Sequence, residues 1–502
     1  MNKITEVYLL DAPFNQSQNE TILFNSASEQ LQYMNSIIKH SFTNFSYQRE
    51  EQNIRVPAYI ENLYDSNYLM YKNDNGKRFY CFITKFTYKN DAMTEISFKY
   101  DVLQTFMFNY TLKTCFVERE HVNSDEVGEN TIDEGLAIGD TIMYDLNLNT
   151  GMNDLVYIIG TTWGTTLNDD LTNTEIYGTL RNNIYSGIQM MYYEASEVEQ
   201  MKEMIKSIET KRKNAIQYIA VIPRFALSTS ALDKPVVYAS SSVASKEVTV
   251  NLIQTTINGY TPKNKKLFCY PYNSIILSNN SGQQNLLKVE NFNSKDRITF
   301  IVKSTLRPNP TVKLIPKSYK NVFENYDESI SFSDFPMCEY SNPAYLNWLN
   351  SGVLNIGVGM ATTLGNVYAG NIGGTVTSAL GTLNSIQNYS LKSDNVNGSM
   401  GSGNVALLCG RDFKCYQQQI KYDVARSIDE YFTRYGYKVD RIKVPNIRGR
   451  QNFNFVKTQN CNLQGAIPSP YKEEIQEIFN KGITFWHSTS NYGNYTVDNN
   501  IV

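Results

Sequence analysis

From Tyr68 to Phe106 apolar and polar residues alternate with the period of a half-buried strand. The alternation breaks at residues 73–76, where Asn75-Gly76 is a tight-hairpin signal, and again at Asn90 and Asp91. This predicts an antiparallel meander of long strands, the last running to Phe106. Strand patterns recur over residues 235–252, 267–277 and 297–306, the last ended by Pro308 and Pro310, which cannot continue a ladder. Four segments carry helical spacing instead. Ser26 and Glu29 form a capping box before Leu31, Met34 and Ile38, and Ser196 and Glu199 do so before Met201, Ile205 and Ile208. Ile420, Val424, Ile428, Phe432 and Tyr435 make a third stripe, read as helix core and stopped at Gly436; Ser469-Pro470 opens a fourth, through Ile475 and Phe479 to Gly482. The fold class that follows is mainly β with a few helices, in a β-rich multidomain chain.

One stretch fits neither pattern well. Between Glu339 and Lys392 there is no Asp, Glu, Lys or Arg, although 19% of the chain is charged. Residues 352–387 are apolar but thin, rich in Gly, Ala, Val and Thr. Val353, Ile356, Met360, Leu364 and Val367 are spaced three and four apart, as are Val376, Leu380, Leu383 and Ile386, with Leu354, Val358 and Ile372 adding apolar surface. The spacing predicts two short amphipathic helices, with Gly373 and Gly374 free to reverse the chain between them. Asn355, Asn366, Asn371 and Asn384 interrupt the run, so a permanent membrane-spanning helix of about 20 apolar residues is not expected. A buried helical hairpin within an ordinary core is one reading. The flank favours another: residues 393–403, with Gly401 and Gly403, read as a flexible tether from which an apolar hairpin can leave its resting place. Lacking charge, such a hairpin avoids about 2.5–3.5 kcal/mol per ionised side chain on entering lipid.

Composition narrows the remaining options. The 502 residues can bury a large core, in two to four domains, and the 36 Tyr and 24 Phe suit sheets and contact surfaces. A net charge of -3 supplies no basic footprint for tight DNA binding. The seven cysteines include no CxxC pair and their odd number argues against a full disulfide framework, so most are expected to be buried thiols. The N-terminal apolar run is too short for a signal-peptide core.

Chemical motifs are sparse. His40, His121 and His487 lie far apart without metal-ligand spacing, and each is expected to be a satisfied or surface side chain. No nucleophile elbow, phosphate loop or complete GxGxxG is present. The acid pairs Glu118 with Glu120 and Asp125 with Glu126 are ordinary for a chain with 49 acidic residues. Neither catalytic residues, a cofactor nor a metal is expected, and the chain reads as a non-enzyme.

Family likeness resides at the two ends. The blocks SIDEYFTRYGYKVDRIKVPN (residues 427–446), NFNFVKTQNC (452–461) and KGITFWHS (481–488) resemble the tail knob, or distal tail tube, proteins of small short-tailed phages that infect Gram-positive bacteria. VYLLDAPFNQSQNETILFNSASEQLQYM (7–34) and TFMFNYTLKTCFVEREHVNSDEVGEN (105–130) are similar to the same family. The middle, from about Asn147 to Tyr326, shows no family motif.

This resemblance implies a virion protein at the tail tip, acting at the host envelope. It implies a homo-hexamer whose subunits contribute strands to a β-tube, plugged at rest by apolar loops that are later expelled to form a membrane passage for the genome. Residues 1–125 and 411–502 would build the tube, 126–338 the outer knob and 339–410 the membrane-active loop, with Gly373, Gly374, Gly401 and Gly403 as hinges. The implied partners are other tail proteins (upper tube or collar), the host membrane, and genomic DNA passing without tight binding. A tail adhesin that recognises cell-wall glycopolymer without membrane activity is the alternative function.

Overall fold

The long alternating run becomes the centre of a seven-stranded antiparallel sheet. Its strands lie in the order Ile38–Phe42, Val7–Leu10, Tyr68–Lys72, Arg78–Asn90, Met93–Tyr100, Asn53–Val56, Ser46–Gln48. Both expected turns close this meander: Gly76, at φ +82°, donates its N–H to Asn73, and Asn90 pairs with Met93 across a two-residue loop. The computed structural model describes residues 6–43, 45–48, 51–73, 76–152, 154–162, 180–181, 184–185, 188–211, 215–227, 244–279, 282–305, 310–333, 335, 337–339 and 412–502.

These residues form two compact units, one of Met1–Ala137, Pro262–Leu267 and Asp423–Val502, the other of Ile138–Thr261 and Phe268–Tyr422. In the first, a second sheet joins strands from both chain ends in the order Glu20–Ile22, Ile483–Trp486, Phe453–Gln459, Cys115–Glu120, Tyr437–Lys443. Glu20–Ile22 and Ile483–Trp486 are parallel; the other neighbours are antiparallel. One apolar core unites both sheets, with Leu9, Tyr71 and Phe98 from the first, Phe453 and Trp486 from the second, and Ile475 and Phe479 from a helix. Trp486 is fully buried against Phe453 and Tyr495 at ring distances of 4.7 and 5.0 Å, and its indole N–H bonds Glu20 at 2.9 Å. A buried indole is stable only with its N–H satisfied, and here the acceptor comes from the opposite end of the sequence.

The second unit holds three larger sheets. Alternation is clearest in Leu155–Thr161, flanked by Gln189–Glu194 and Ile216–Pro223. Val156 and Ile158 pack in one cluster, Tyr157 and Ile159 in another with the helix residues Met201, Ile205 and Ile208.

Five helices occur among the described residues: α1 (Ala27–Ser36), α2 (Val102–Phe106), α3 (Val198–Lys211), α4 (Tyr422–Tyr435) and α5 (Ser469–Lys481). Ser26 caps α1 as expected, accepting from Glu29 N–H, while the Glu29 carboxylate reaches back to Asn25 N–H. Several sequence expectations are corrected. The last meander strand stops at Tyr100, because Asp101 caps α2 through Gln104 N–H and the five α2 residues are buried on every side, which erases any periodicity. Ile38 belongs to a strand, α1 having ended at Ser36. Capping before α3 falls to Glu194 and Glu197 around a single 3-10 turn, ahead of Ser196 and Glu199. Ile420 closes the strand Lys414–Ile420, and Tyr435 is 39% exposed, whereas Phe432 is core. The pattern over 267–277 resolves into a 3-10 turn, Lys265–Phe268, and a strand, Asn273–Ser278. Strand Ala244–Asn251 occupies the described part of 235–252.

Candidate functional site

The apolar segment is the feature to which sequence pattern gives a function, so the site begins with its two ends. Val353, Leu354, Ile356, Val358, Met360, Leu364, Val367, Ile372, Val376, Leu380, Leu383 and Ile386, with Gly373, Gly374, Gly401 and Gly403, lie outside the described residues. The chain approaches them along Met337–Glu339, an edge strand paired with Ile216–Pro223. It returns through Asp412 and Phe413 into Lys414–Ile420, a central strand between Thr141–Asp145 and Asn273–Ser278.

The return point is fastened by buried groups. Asp412 accepts from Thr150 N–H at 2.8 Å, from the Thr150 hydroxyl and from Phe413 N–H at 2.7 Å. Burial raises its carboxyl above the usual range, against the pull of those donors. Phe413 is fully buried and meets Phe332 with ring centroids 4.5 Å apart. Beyond it, Cys415, Gln417 and Gln419 share the buried face of the strand by simple alternation. Gln417 exchanges two 2.8 Å bonds with the backbone of Ile253, and Gln419 accepts from Asn258 N–H at 2.9 Å. A glutamine amide presents donor and acceptor together, so it can replace a missing ladder partner for a neighbouring irregular segment. Sequence reasoning missed Asp412, Thr150 and these glutamines. The alternating KCYQQQI was a usable strand signal, but no local pattern tells that its polar positions face inward.

The first unit contains a second concentration of polar groups. Glu134 bridges Arg119 and Lys266, both nearly buried, and also accepts from Lys438 N–H at 2.9 Å. Glu120, fully buried, pairs with Lys443 and accepts from Asn446 N–H at 2.8 Å. Glu118 bonds Lys457 at 2.7 Å, whose ammonium helps hold its carboxyl below the ordinary value despite partial burial. Glu118 and Glu120, one of the acid pairs noted in the sequence, are thus pins between segments distant in the chain.

Each histidine has a partner. His40 bonds Asp65 at 2.8 Å on the surface. His121 accepts from Phe455 N–H through Nδ1 at 2.7 Å and donates from Nε2 to the Thr433 carbonyl at 3.0 Å; burial drives it down to about 3. His487 contacts Asn454 at 3.0 Å and is pushed by burial to about 4. Cys81, Cys115, Cys269, Cys415 and Cys461 are buried free thiols. Among the described residues no cluster of His, Cys, Asp or Glu has metal-binding geometry, and no helix is long and apolar enough to cross a membrane.

Comparison with known proteins adds an independent line. A family model described as Bacillus phage phi29 tail knob protein gp9, C-terminal domain, matches residues 238–500, and one described as caudoviral major tail protein N-terminus matches residues 3–111. The chain is 26% identical to tail knob protein gp9 of Bacillus phage phi29 and 26% to that of Bacillus phage PZA, in both cases over 98% of each chain. To that of Bacillus phage B103 it is 25% identical, over 98% of this chain and 97% of the relative. Its fold matches the solved tail knob protein gp12 of bacteriophage C1 with a TM-score of 0.66 at 18% identity, covering 99% of this chain and all of the other. The likeness therefore runs through the middle of the chain, beyond the end blocks that first displayed it.

Proposed function

Because the chain belongs to the phage tail knob family, we propose that six copies form the distal conduit of a phage tail, closed at rest by apolar loops that enter the host membrane to aid genome delivery. The protein is a structural component of the virion tail and associates with other tail proteins; its relatives are structural proteins, which implies a non-enzymatic role. In this reading residues 1–125 and 411–502 build the tube, 126–338 the outer knob and 339–410 the loop.

The observation that carries the proposal is the charge-free stretch between Glu339 and Lys392. Inside a closed ring, apolar side chains from symmetry-related loops cover one another, each gaining about 1.5–3 kcal/mol over exposure to water. Lipid offers a similar apolar surrounding, so transfer is nearly balanced, and helices entering it would satisfy their own backbone. The anchors support a device of this kind: Asp412, Phe413 and the central strand behind them give the loop a fixed base to move from.

The test is leakage of dye from liposomes by purified protein, compared with a Met360→Asp, Leu380→Asp double variant. The variant should assemble normally and release far less dye; equal leakage removes the membrane role. Native mass measurement tests the assembly separately: a hexamer is expected, and a stable monomer at every concentration rejects the conduit. Retention on purified cell walls without leakage would favour the adhesin.

A further inference from the structure

The first unit contains a cleft of about 450 Å³, made wholly of that unit's residues. Its volume falls in the range of small-molecule sites, about 300–1,000 Å³. Its walls are about half apolar, and their charges balance. Lys263, Lys265 and Arg450 face Asp125, Glu126 and Asp498, with Lys263 and Asp498 3.3 Å apart and Lys265 and Glu126 3.0 Å apart.

The rim is fixed before any ligand arrives. Asn499 accepts from Asn452 and Phe453 N–H groups and donates to the Phe453 carbonyl at 2.8 Å, holding the C-terminal strand of chain against the cleft. Arg450 gives one guanidinium nitrogen to the Asn499 carbonyl, while its buried Nε has no protein partner. Asp498 and Glu126 are largely exposed and keep acceptor capacity, and lysine ammoniums have three protons each. His121, whose two ring nitrogens are both engaged, presents a neutral ring to the same space.

We propose that this cleft binds a neutral sugar of one or two rings. A simple anion or cation gains little where three cations and three carboxylates already compensate one another. A polyol gains more, since each hydroxyl both donates and accepts and can meet a carboxylate and a cationic N–H at once. Orientation would come from the Arg450 guanidinium and the Asn500 amide, with Ile501 and the His121 ring against the C–H face.

Calorimetric titration of the full-length protein with hexoses, N-acetylhexosamines and their disaccharides, beside inorganic phosphate, tests the site. One neutral sugar should bind with a Kd of about 1 mM or tighter. Arg450→Gln should weaken it at least about tenfold, equivalent to about 1.4 kcal/mol. Should that variant fold poorly, an Asp498→Ala, Asn500→Ala rim variant with unchanged melting should still lose affinity. Retention on insoluble wall glycan, displaced by the free sugar, assigns a polymeric source; free-sugar binding without retention assigns a soluble one. No saturable binding by any sugar, binding of phosphate alone, or undiminished binding by the rim variant overturns the proposal. The outcome is independent of liposome leakage.

Discussion

At the scale of single residues, buried ionisable groups set the response to pH. Folded His121 refuses a proton until about pH 3, whereas an unfolded histidine takes one near 6.5, so the unfolded state binds more protons throughout that window. Stability is therefore lost as pH falls below 6.5, by about 2 kcal/mol at pH 5 for His121 alone, and His487 acts in the same direction. Asp101 opposes them: burial raises it to about 6, so the folded state holds a proton that the unfolded state releases near 3.8, and its contribution is lost as pH rises through that interval. Melting temperatures between pH 7 and pH 5 should fall less steeply in His121→Gln and more steeply in Asp101→Asn; the reverse order would refute the assignment. Asp412 supplies a second test. Thr150→Val removes the hydroxyl donor from a buried carboxyl group and should cost about 1–3 kcal/mol in urea unfolding.

At the scale of elements, the two helix stops marked by glycine were legible, and the end of α1 and the strand ends less so. Gly436 after α4 was visible as a stop signal, and it adopts φ +64°. The sequence could not reveal that a Cβ there would also meet the backbone of Glu120 and His121. Two expectations separate these causes. If left-handed φ alone mattered, Gly436→Asn would be tolerated, since Asn visits that region readily. Because the neighbouring backbone leaves no room, Asn and Ala should both destabilise by about 1–3 kcal/mol in chemical denaturation. The misread end of the meander has a related origin. In α2, Gln104 donates to Thr21 and Ile22 while Thr105 exchanges bonds with Tyr80, so contacts from other segments decide between helix and strand where all five residues are apolar or buried.

At the scale of the whole molecule, the first unit is discontinuous in sequence. Cys115–Glu120 lies between Phe453–Gln459 and Tyr437–Lys443, and Glu20–Ile22 pairs only with Ile483–Trp486 in its sheet. A fragment of residues 1–137 should accordingly fail to fold alone, leaving Val117 and Phe24 without their C-terminal neighbours; co-expression with residues 423–502 should restore dispersed amide spectra. A folded, monomeric 1–137 would contradict the shared core.

Sequence by itself determined the β-rich class, the placement of most helices, the lack of a recognisable catalytic motif and the charge-free segment, because these depend on local periodicity, backbone freedom and composition. Family likeness was readable at both ends for the same reason: it resides in contiguous blocks. Tertiary structure alone decided that those ends interleave in one sheet, that Glu120, Glu134 and Asp412 are buried pins, and that Lys263, Arg450 and Asp498 share a cleft. Such facts join residues hundreds of positions apart, and the energy of a buried charge depends on which partners arrive, a quantity that no local window contains.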